Sequence, residues 1–256
     1  MTSNPPEPLV YFSYGLTKSA STLAYRLAWL SLEDAGLTQP RVPPPVVEEI
    51  HSVNFVTHLD TAMMAELLRI AREQGYPLVV KTHVLPSPAV VEAVTSGQAR
   101  GSISLRDPRD MALSMLDHGA KARRKGDFAF REYETLPDTL DAIRLQTDAL
   151  AEWLRLPDML ALTYDQIAFD TENTVRKLQQ HLGIAGNPAK ITRMVSDKRY
   201  IQFNKGRRDR HKQEMSAEDS AAFAREFAPL IDTLARVQAT PFDGRPHLDA
   251  TATLRH

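Results

Sequence analysis

Four short apolar segments alternate with segments of helical periodicity, and this alternation constrains the fold more than any other feature of the chain. The four segments lie near Val10, Val79, Ile103 and Leu160, and polar or turn-forming residues follow each of them. Strands that alternate with helices form parallel sheets with right-handed crossovers. The pattern therefore predicts an α/β fold, a parallel β-sheet flanked by helices on both faces. In such sheets ligands bind beyond the carboxyl ends of the strands.

The helices are predicted from apolar periodicity and from the residues that start and stop them. Gly36, Gly75 and Gly183 each follow a periodic segment, as glycine commonly does at helix C-termini. Residues 46–58 are ambiguous, although part of that segment alternates like a strand, and residues 121–137 are predicted to be polar and irregular. The predicted helices cover residues 23–32, 59–74, 87–95, 111–118, 139–154, 170–182, 189–195 and 217–235.

Length and composition fit one globular domain. The chain has 256 residues, of which 43% are hydrophobic, and its net charge of −1 argues against bulk binding to nucleic acid. We expect a disordered leader over residues 1–8, a single domain over residues 9–240 and a loose tail over residues 241–256. The absence of cysteine, of a signal peptide and of any apolar run of about 20 residues predicts a cytoplasmic protein without a membrane span.

The first segment continues into a polar loop and the start of a helix. Thr17 to Thr22 contribute Lys18 and several hydroxyl groups at the point where the helix begins. A helix N-terminus with a nearby lysine suits a phosphate group. The loop lacks the Gly-Lys pair of the common nucleotide-triphosphate motif, because Gly15 stands three residues before the lysine. The segment is therefore either an unusual phosphate loop or an ordinary strand-to-helix turn with a solvated lysine.

The second segment ends in Lys81, Thr82 and His83. On an extended strand Lys81 and His83 point to the same side. A histidine beside a cation has a lowered pKa and favours the neutral form, as a general base must. A structural, hydrogen-bonded histidine is the alternative.

The third segment is followed by Arg106, and Ser114 lies eight residues further on, about two turns into the next helix. A guanidinium group and a hydroxyl are good phosphate ligands. The alternative is a surface arginine beside a helix-capping Asp107. We also expect Arg109 and Asp110 to form a local ion pair, and residues 208–212 to be a solvated charged face.

These elements, in this order, resemble the sulfotransferases that use 3′-phosphoadenosine 5′-phosphosulfate. Their phosphosulfate loop runs roughly Pro-Lys-Ser-Gly-Thr-Thr-Trp. This chain matches it at four positions, which are Lys18, Ser19, Ser21 and Thr22. It departs from it at three, where Thr17, Ala20 and Leu23 replace proline, glycine and tryptophan. The resemblance extends over residues 9–215.

The resemblance implies a role for each candidate residue. His83 is the catalytic base, and Lys18 and Lys81 neutralise charge on the reacting group. Arg106 and Ser114 bind the 3′-phosphate, and Tyr164 lies along the adenosine. The late segment Lys205, Gly206 and Arg207 closes over the 3′-phosphate; because Asn204 replaces the family's arginine, Arg207 or Arg208 could substitute for it. The loop residues that bind the co-substrate are Thr17, Lys18, Ser19, Ala20, Ser21 and Thr22.

The implied reaction is an in-line transfer of a sulfuryl group to a hydroxyl or amine of a small-molecule or saccharide acceptor. It needs no metal, because protein cations neutralise the charge. Two alternatives remain open. A P-loop kinase acting on a small molecule requires a Gly-Lys motif that is absent here, and a non-catalytic nucleotide-binding protein would not need both His83 and Lys18. The residue that stacks on adenine is unassigned, since Leu23 replaces the tryptophan.

Overall fold

The computed structural model of the chain describes residue 7 and residues 9–44, 48–50, 53–196 and 206–240. These residues form one sheet and the helices around it. The predicted leader, the tail and Lys205 with Asn204 lie outside the described residues, apart from residue 7. The strands are β1 (Val10–Gly15), β2 (Glu48–Ile50), β3 (Val53–Val56), β4 (Leu78–Thr82), β5 (Ala99–Leu105) and β6 (Met159–Thr163).

The sheet has the strand order β2-β3-β4-β1-β5-β6. The pairings β3–β4, β4–β1, β1–β5 and β5–β6 are parallel, and β2 pairs with β3 in the antiparallel sense at the edge. The four predicted strands are therefore confirmed as β1, β4, β5 and β6. The segment left ambiguous contains β2 and β3. β3 is short and carries the polar Asn54, whose buried side chain bonds the backbone of Pro40 and Val79, so its apolar signal is weak.

Helices cover both faces of the sheet, as predicted. They are α1 (Ser21–Asp34), α2 (Thr61–Gln74), α3 (Pro88–Thr95), α4 (Pro108–Lys125), α5 (Leu140–Leu154), α6 (Tyr164–Phe169), α7 (Thr171–Leu182), α8 (Pro188–Ser196), α9 (His211–Glu214), α10 (Ala217–Glu226) and α11 (Ala228–Ala239), with a 3-10 turn at Pro137–Thr139.

Two helix predictions were wrong in extent. Helix α4 was expected over residues 111–118, but it begins at Pro108 behind the capping carboxylate of Asp107 and continues to Lys125, where Gly126 ends it with φ 75°. Basic residues in its last turn suit the helix dipole, so residues 121–125, which were predicted to be irregular, are helical, whereas residues 126–136 are turns and irregular structure as predicted. The helix predicted over residues 217–235 is interrupted at Phe227, because Pro229 in the first turn of α11 has no N–H to continue the α10 ladder.

The apolar core lies on both sides of the sheet. On one side Phe12 and Tyr14 of β1 contact Trp153 of α5. On the other side Tyr11 packs in a cluster with Leu27 of α1 and residues of α7. Alternate residues of β1 thus face opposite layers, and all six are buried, as expected for a central parallel strand.

The sheet register brings four strand ends to one edge. Ser13 pairs with Lys81, Gly15 with Ser104, and Leu105 with Thr163. β1 lies between β4 and β5, and the connection from β4 through α3 to β5 crosses it, so the strand order changes direction there. The loop after β1 therefore lies at the point where ligands bind in such folds. Among the described residues, no helix is both long and apolar enough to cross a membrane.

Candidate functional site

The loop after β1 is built by close backbone approach and by two left-handed residues. A Cβ on Gly15 would lie 1.9 Å from Ser104 Oγ and 2.7 Å from Ser21 Cβ, so only glycine fits at this strand end. Lys18 and Ala20 have φ values of 68° and 67°. Ala20 is the residue before α1, and no side chain caps the helix there. The free N–H groups of α1 therefore remain available to an anion.

The hydroxyl groups of the loop differ in their surroundings. Ser19 is fully buried; its Oγ donates to the Leu16 carbonyl and lies 2.8 Å from Ser104 Oγ. Ser21 is buried and Thr22 is exposed at the first turn of α1. The backbone N–H of Thr17 donates to Oε1 of Gln146 on α5. Ser19 and Thr17 therefore fix the loop to the sheet and to α5.

The Lys18 side chain turns toward α4. Its Nζ lies 3.0 Å from Nδ1 of His118 and 5.0 Å from the centroid of the Phe130 ring. Burial, together with the cations Arg106 and Lys121, lowers the pKa of Lys18 to about 8. This ammonium is partly desolvated and is therefore disposed to accept an anionic ligand.

Lys81 and His83 at the end of β4 form a second lysine–histidine pair. Lys81 Nζ lies 2.6 Å from Nε2 of His83, and Nδ1 of His83 lies 2.5 Å from the Gly15 carbonyl oxygen. A carbonyl can only accept, so Nδ1 carries the proton and Nε2 carries the lone pair. Burial lowers the pKa of both groups, and the charge of Lys81 lowers that of His83 further. His83 is thus a neutral imidazole whose basic nitrogen faces Lys81.

Arg106 is buried between the loop, α4 and α6. Its Nη1 donates to the Lys18 carbonyl at 3.0 Å, and its guanidinium lies 3.8 Å from the centroid of the Tyr164 ring. Its Nε has no hydrogen-bond partner among the described residues although it is buried. Arg106 is therefore not the surface arginine of the alternative hypothesis. Ser114 is buried on α4, two turns beyond Arg106.

The segment 206–215 packs on α4 more closely than its charges suggested. Gly206 is half-buried, whereas Arg207 and Arg208 are exposed, with Arg208 3.5 Å from Asp165. Arg210 is buried and pairs with Asp117 and Glu214. A solvated face was therefore the wrong prediction for Arg210.

A solvated face was also the wrong prediction for His211. This side chain is buried, and its Nδ1 lies 2.9 Å from Oδ1 of Asp110. The predicted Arg109–Asp110 pair is also wrong. Arg109 bonds Asp107 instead, and the Asp110 carboxylate lies between His211 and Arg106. These contacts attach the late segment to α4 near the candidate anion site.

Sequence reasoning missed His118, Phe130 and Gln146. His118 lies one helical turn beyond Ser114 on the same face of α4, and this spacing of four residues within the predicted helix is a signal that could have identified it. Phe130 and Gln146 come from elements far along the chain, and no local signal connects them with Lys18. Leu23, which stands where the resemblance has tryptophan, is buried in the core.

The described site combines three cations, the neutral imidazole of His83, whose Nε2 lone pair faces Lys81, and the N–H groups at the start of α1, which no side chain caps. Such a site can bind an anionic group at the loop and accept a proton at His83. Within the described ranges, no group of three or more His, Asp or Glu side chains could hold a metal ion.

Comparison with known proteins identifies the family of the chain. A family model described as "Sulfotransferase domain" matches residues 12–228. A search of curated protein sequences finds no match. Among solved structures, mouse sulfotransferase SULT7A1 complexed with PAP is 17% identical, with a TM-score of 0.57, and the match covers 91% of this chain and 90% of that one.

Retinol dehydratase in a complex with retinol and PAP is also 17% identical, with a TM-score of 0.54, over 89% of this chain and 82% of that one. Identity at this level shows a common fold. The family model covers most of the chain, from within β1 to the start of α11. The chain therefore belongs to the sulfotransferase domain family.

Proposed function

We propose that this sulfotransferase moves the sulfuryl group of 3′-phosphoadenosine 5′-phosphosulfate to an acceptor hydroxyl, or alternatively to an amine. The observation that carries the proposal is the pair of contacts made by His83, with Nδ1 2.5 Å from the Gly15 carbonyl oxygen and Nε2 2.6 Å from Nζ of Lys81. A carbonyl can only accept, so we infer that Nδ1 carries the proton and Nε2 keeps its lone pair. Gly15 also begins the loop that contains Lys18. The base is thereby attached to the same backbone that would bind the donor.

The acceptor oxygen attacks sulfur, and the bond between sulfur and the 5′-phosphate oxygen breaks. The hydroxyl proton goes to Nε2 of His83, and the bonding electrons leave with the phosphate oxygen. Because Lys81 Nζ occupies Nε2 in the free protein, the acceptor must replace it there. Lys81 would then be free to neutralise the sulfuryl oxygens.

Charge grows on the departing phosphate during the transfer. Lys18 and the free N–H groups at the start of α1 are the cationic and hydrogen-bonding groups of the loop that can stabilise it. Their stabilising effect increases as the bond breaks, which is what lowers a barrier.

The 3′-phosphate is assigned to Arg106 and Ser114, with Lys205, Gly206 and Arg207 of the late segment. The unpartnered Nε of buried Arg106 supports this role, because a buried donor without a partner costs free energy unless a ligand satisfies it. Tyr164 stacks on the guanidinium and fixes its plane. These contacts to a group that does not react would align the donor.

The same proposal requires no metal, since Lys18, Lys81 and Arg106 bring the positive charge. It places the enzyme in the cytoplasm, in keeping with a chain that has no cysteine. The acceptor is a small molecule or a saccharide. Retinol dehydratase has been solved with retinol and with androsterone, which supports small apolar alcohols as the first acceptors to try.

A transfer assay with labelled donor tests the proposal over a panel of alcohols, phenols, saccharides and amines, with and without EDTA. We expect label in at least one acceptor, and equal rates with and without the chelator. In parallel, thermal unfolding is measured with PAP, adenosine 5′-monophosphate and ATP. Selective stabilisation by PAP supports the donor assignment. Stabilisation by ATP with magnesium, and transfer that EDTA abolishes, would contradict it and favour a kinase.

A further inference from the structure

Lys18 has an unusual partner for a half-buried ammonium. Its Nζ bonds Nδ1 of His118 at 3.0 Å, and no carboxylate of a described residue lies within ion-pair distance of it. The acid that acts on it from α4, Asp117, is already paired with Arg210. The position of the lysine therefore depends on an uncharged acceptor.

The chemistry of this contact fixes the state of His118. An ammonium group has only donors, so Nδ1 must present its lone pair and the imidazole must be neutral, with its proton on Nε2. This is the opposite tautomer to that of His83. The site thus contains two lysine–histidine pairs that use different ring nitrogens, at the ends of two neighbouring strands.

Two residues that contact His118, Lys18 and Phe130, have strained backbone conformations. Phe130 contacts both partners, with its ring 5.4 Å from the imidazole and 5.0 Å from Lys18 Nζ. Lys18 and Phe130 both have left-handed backbones, with φ 68° and 69°. Such strain persists where neighbouring structure imposes it, and it concentrates at functional sites.

The structure shows what imposes the conformation of Phe130. A Cβ on Gly119 would lie 2.5 Å from the Phe130 carbonyl, so the loop lies directly on α4. Arg123 Nη1 donates to the carbonyls of Arg131 and Tyr133 and fixes the same loop from the next turn. The loop is therefore anchored on α4 at Phe130 and at the residues that follow it.

We propose that His118 is a positioning residue of the donor site, whose neutral imidazole orients the Lys18 ammonium through Nδ1 and loses this contact when it is protonated. The inference rests on the proposed function, because it assigns Lys18 to the 5′-phosphate of the donor. Three charged groups act on the imidazole: Lys18 from the loop, and Lys121 and Asp117 from α4. Burial and the two cations lower the pKa of His118, which preserves the neutral form.

The test compares His118→Asn with His118→Gln and His118→Ala. The amide oxygen of asparagine can replace Nδ1 as an acceptor, whereas that of glutamine reaches the position of Nε2, and neither titrates. Affinity is measured by calorimetry for PAP and for adenosine 3′-monophosphate, which lacks the phosphate assigned to Lys18. We expect His118→Ala and His118→Gln to weaken PAP binding by about fivefold, as loss of one hydrogen bond predicts, while His118→Asn stays near wild type. Binding of the monophosphate should not change in any variant.

The pH dependence of PAP affinity is a second measurement, and a purely structural role of His118 would not change it. As the pH falls below about 6.5, the ordinary pKa of histidine, wild type should lose PAP affinity faster than His118→Asn, since only wild type protonates at this position. Equal loss in the two proteins, or asparagine behaving like alanine, overturns the inference. If wild type does not bind PAP more tightly than adenosine 3′-monophosphate, the assignment of Lys18 to the 5′-phosphate is wrong, and the inference about His118 is then wrong as well. If that preference is present but His118→Ala retains it in full, the inference alone fails.

Discussion

Nζ of Lys81 lies 2.6 Å from Nε2 of His83, the nitrogen that carries the lone pair. The two residues are two apart on one strand, so the strand's alternation brings both to the same side. The cation disfavours a second positive charge on the imidazole, and the Gly15 carbonyl fixes the tautomer. In the proposed reaction the same contact keeps His83 unprotonated until the acceptor arrives.

Replacing Lys81 with methionine should raise the pKa of His83, because the nearby positive charge is removed. Since the proposed reaction needs a neutral His83, protonation would then abolish activity at a higher pH. The acid limb of the pH profile of kcat/KM should move upward by about one unit or more, and the rate at neutral pH should fall. Lys81→Arg, which keeps the charge, is the control and should leave the acid limb in place. An unmoved acid limb in Lys81→Met would show that the pair is not coupled.

Arg106→Ala should reduce donor affinity more than turnover. The 3′-phosphate assigned to Arg106 does not react, so its contacts act on bound substrate and transition state alike. The variant also loses the hydrogen bond to the Lys18 carbonyl, so some loss of rate is expected. Calorimetry with PAP and with adenosine 5′-monophosphate separates the effects. A loss restricted to PAP agrees with the assignment, whereas equal losses for both nucleotides would remove Arg106 from the 3′-phosphate site.

Binding of PAP should take up protons near pH 8. Burial lowers the pKa of Lys18 to about 8 in the free protein, and a bound phosphate will raise it again. The ammonium therefore gains protons on binding, and affinity should decline as the pH rises above this pKa. Calorimetry at pH of about 8 in buffers of different ionisation enthalpy measures the uptake. Lys18→Met should reduce the uptake, and an unchanged value in that variant would place the proton elsewhere.

Ala20→Gly should stabilise the protein. Ala20 has φ 67°, a conformation that costs a residue with a Cβ about 1–2 kcal/mol, while glycine adds about 0.4–1 kcal/mol of unfolded-state entropy. A net gain of about 1 kcal/mol in the free energy of unfolding is expected in denaturant titrations. Gly75→Ala is the matched control, since Gly75 has φ 80° with open space around it. This variant should have a lower free energy of unfolding than wild type, by a similar amount. Loss of stability in Ala20→Gly would show that the loop is not strained at this residue.

The fold was predictable where its signals are local. Apolar runs identified β1, β4, β5 and β6, and the polar residues at their ends are adjacent in sequence to the strands that position them. The contacts of the site are mostly not local. His118 meets Lys18 across 100 residues, and Asp110 meets His211 across 101. Periodicity and spacing do not encode such pairs, which arise only when α4 packs beside the loop.

The central claim is that His83 is the base for sulfuryl transfer, and the most direct measurement is the single-turnover rate of His83→Ala beside its affinity for PAP. The account predicts that the rate falls by about 10²–10⁴-fold, the usual cost of losing a general base, while PAP affinity stays near wild type. Near-normal turnover together with a large loss of PAP affinity would contradict it, because His83 would then be a ligand contact and the proton would leave by another route.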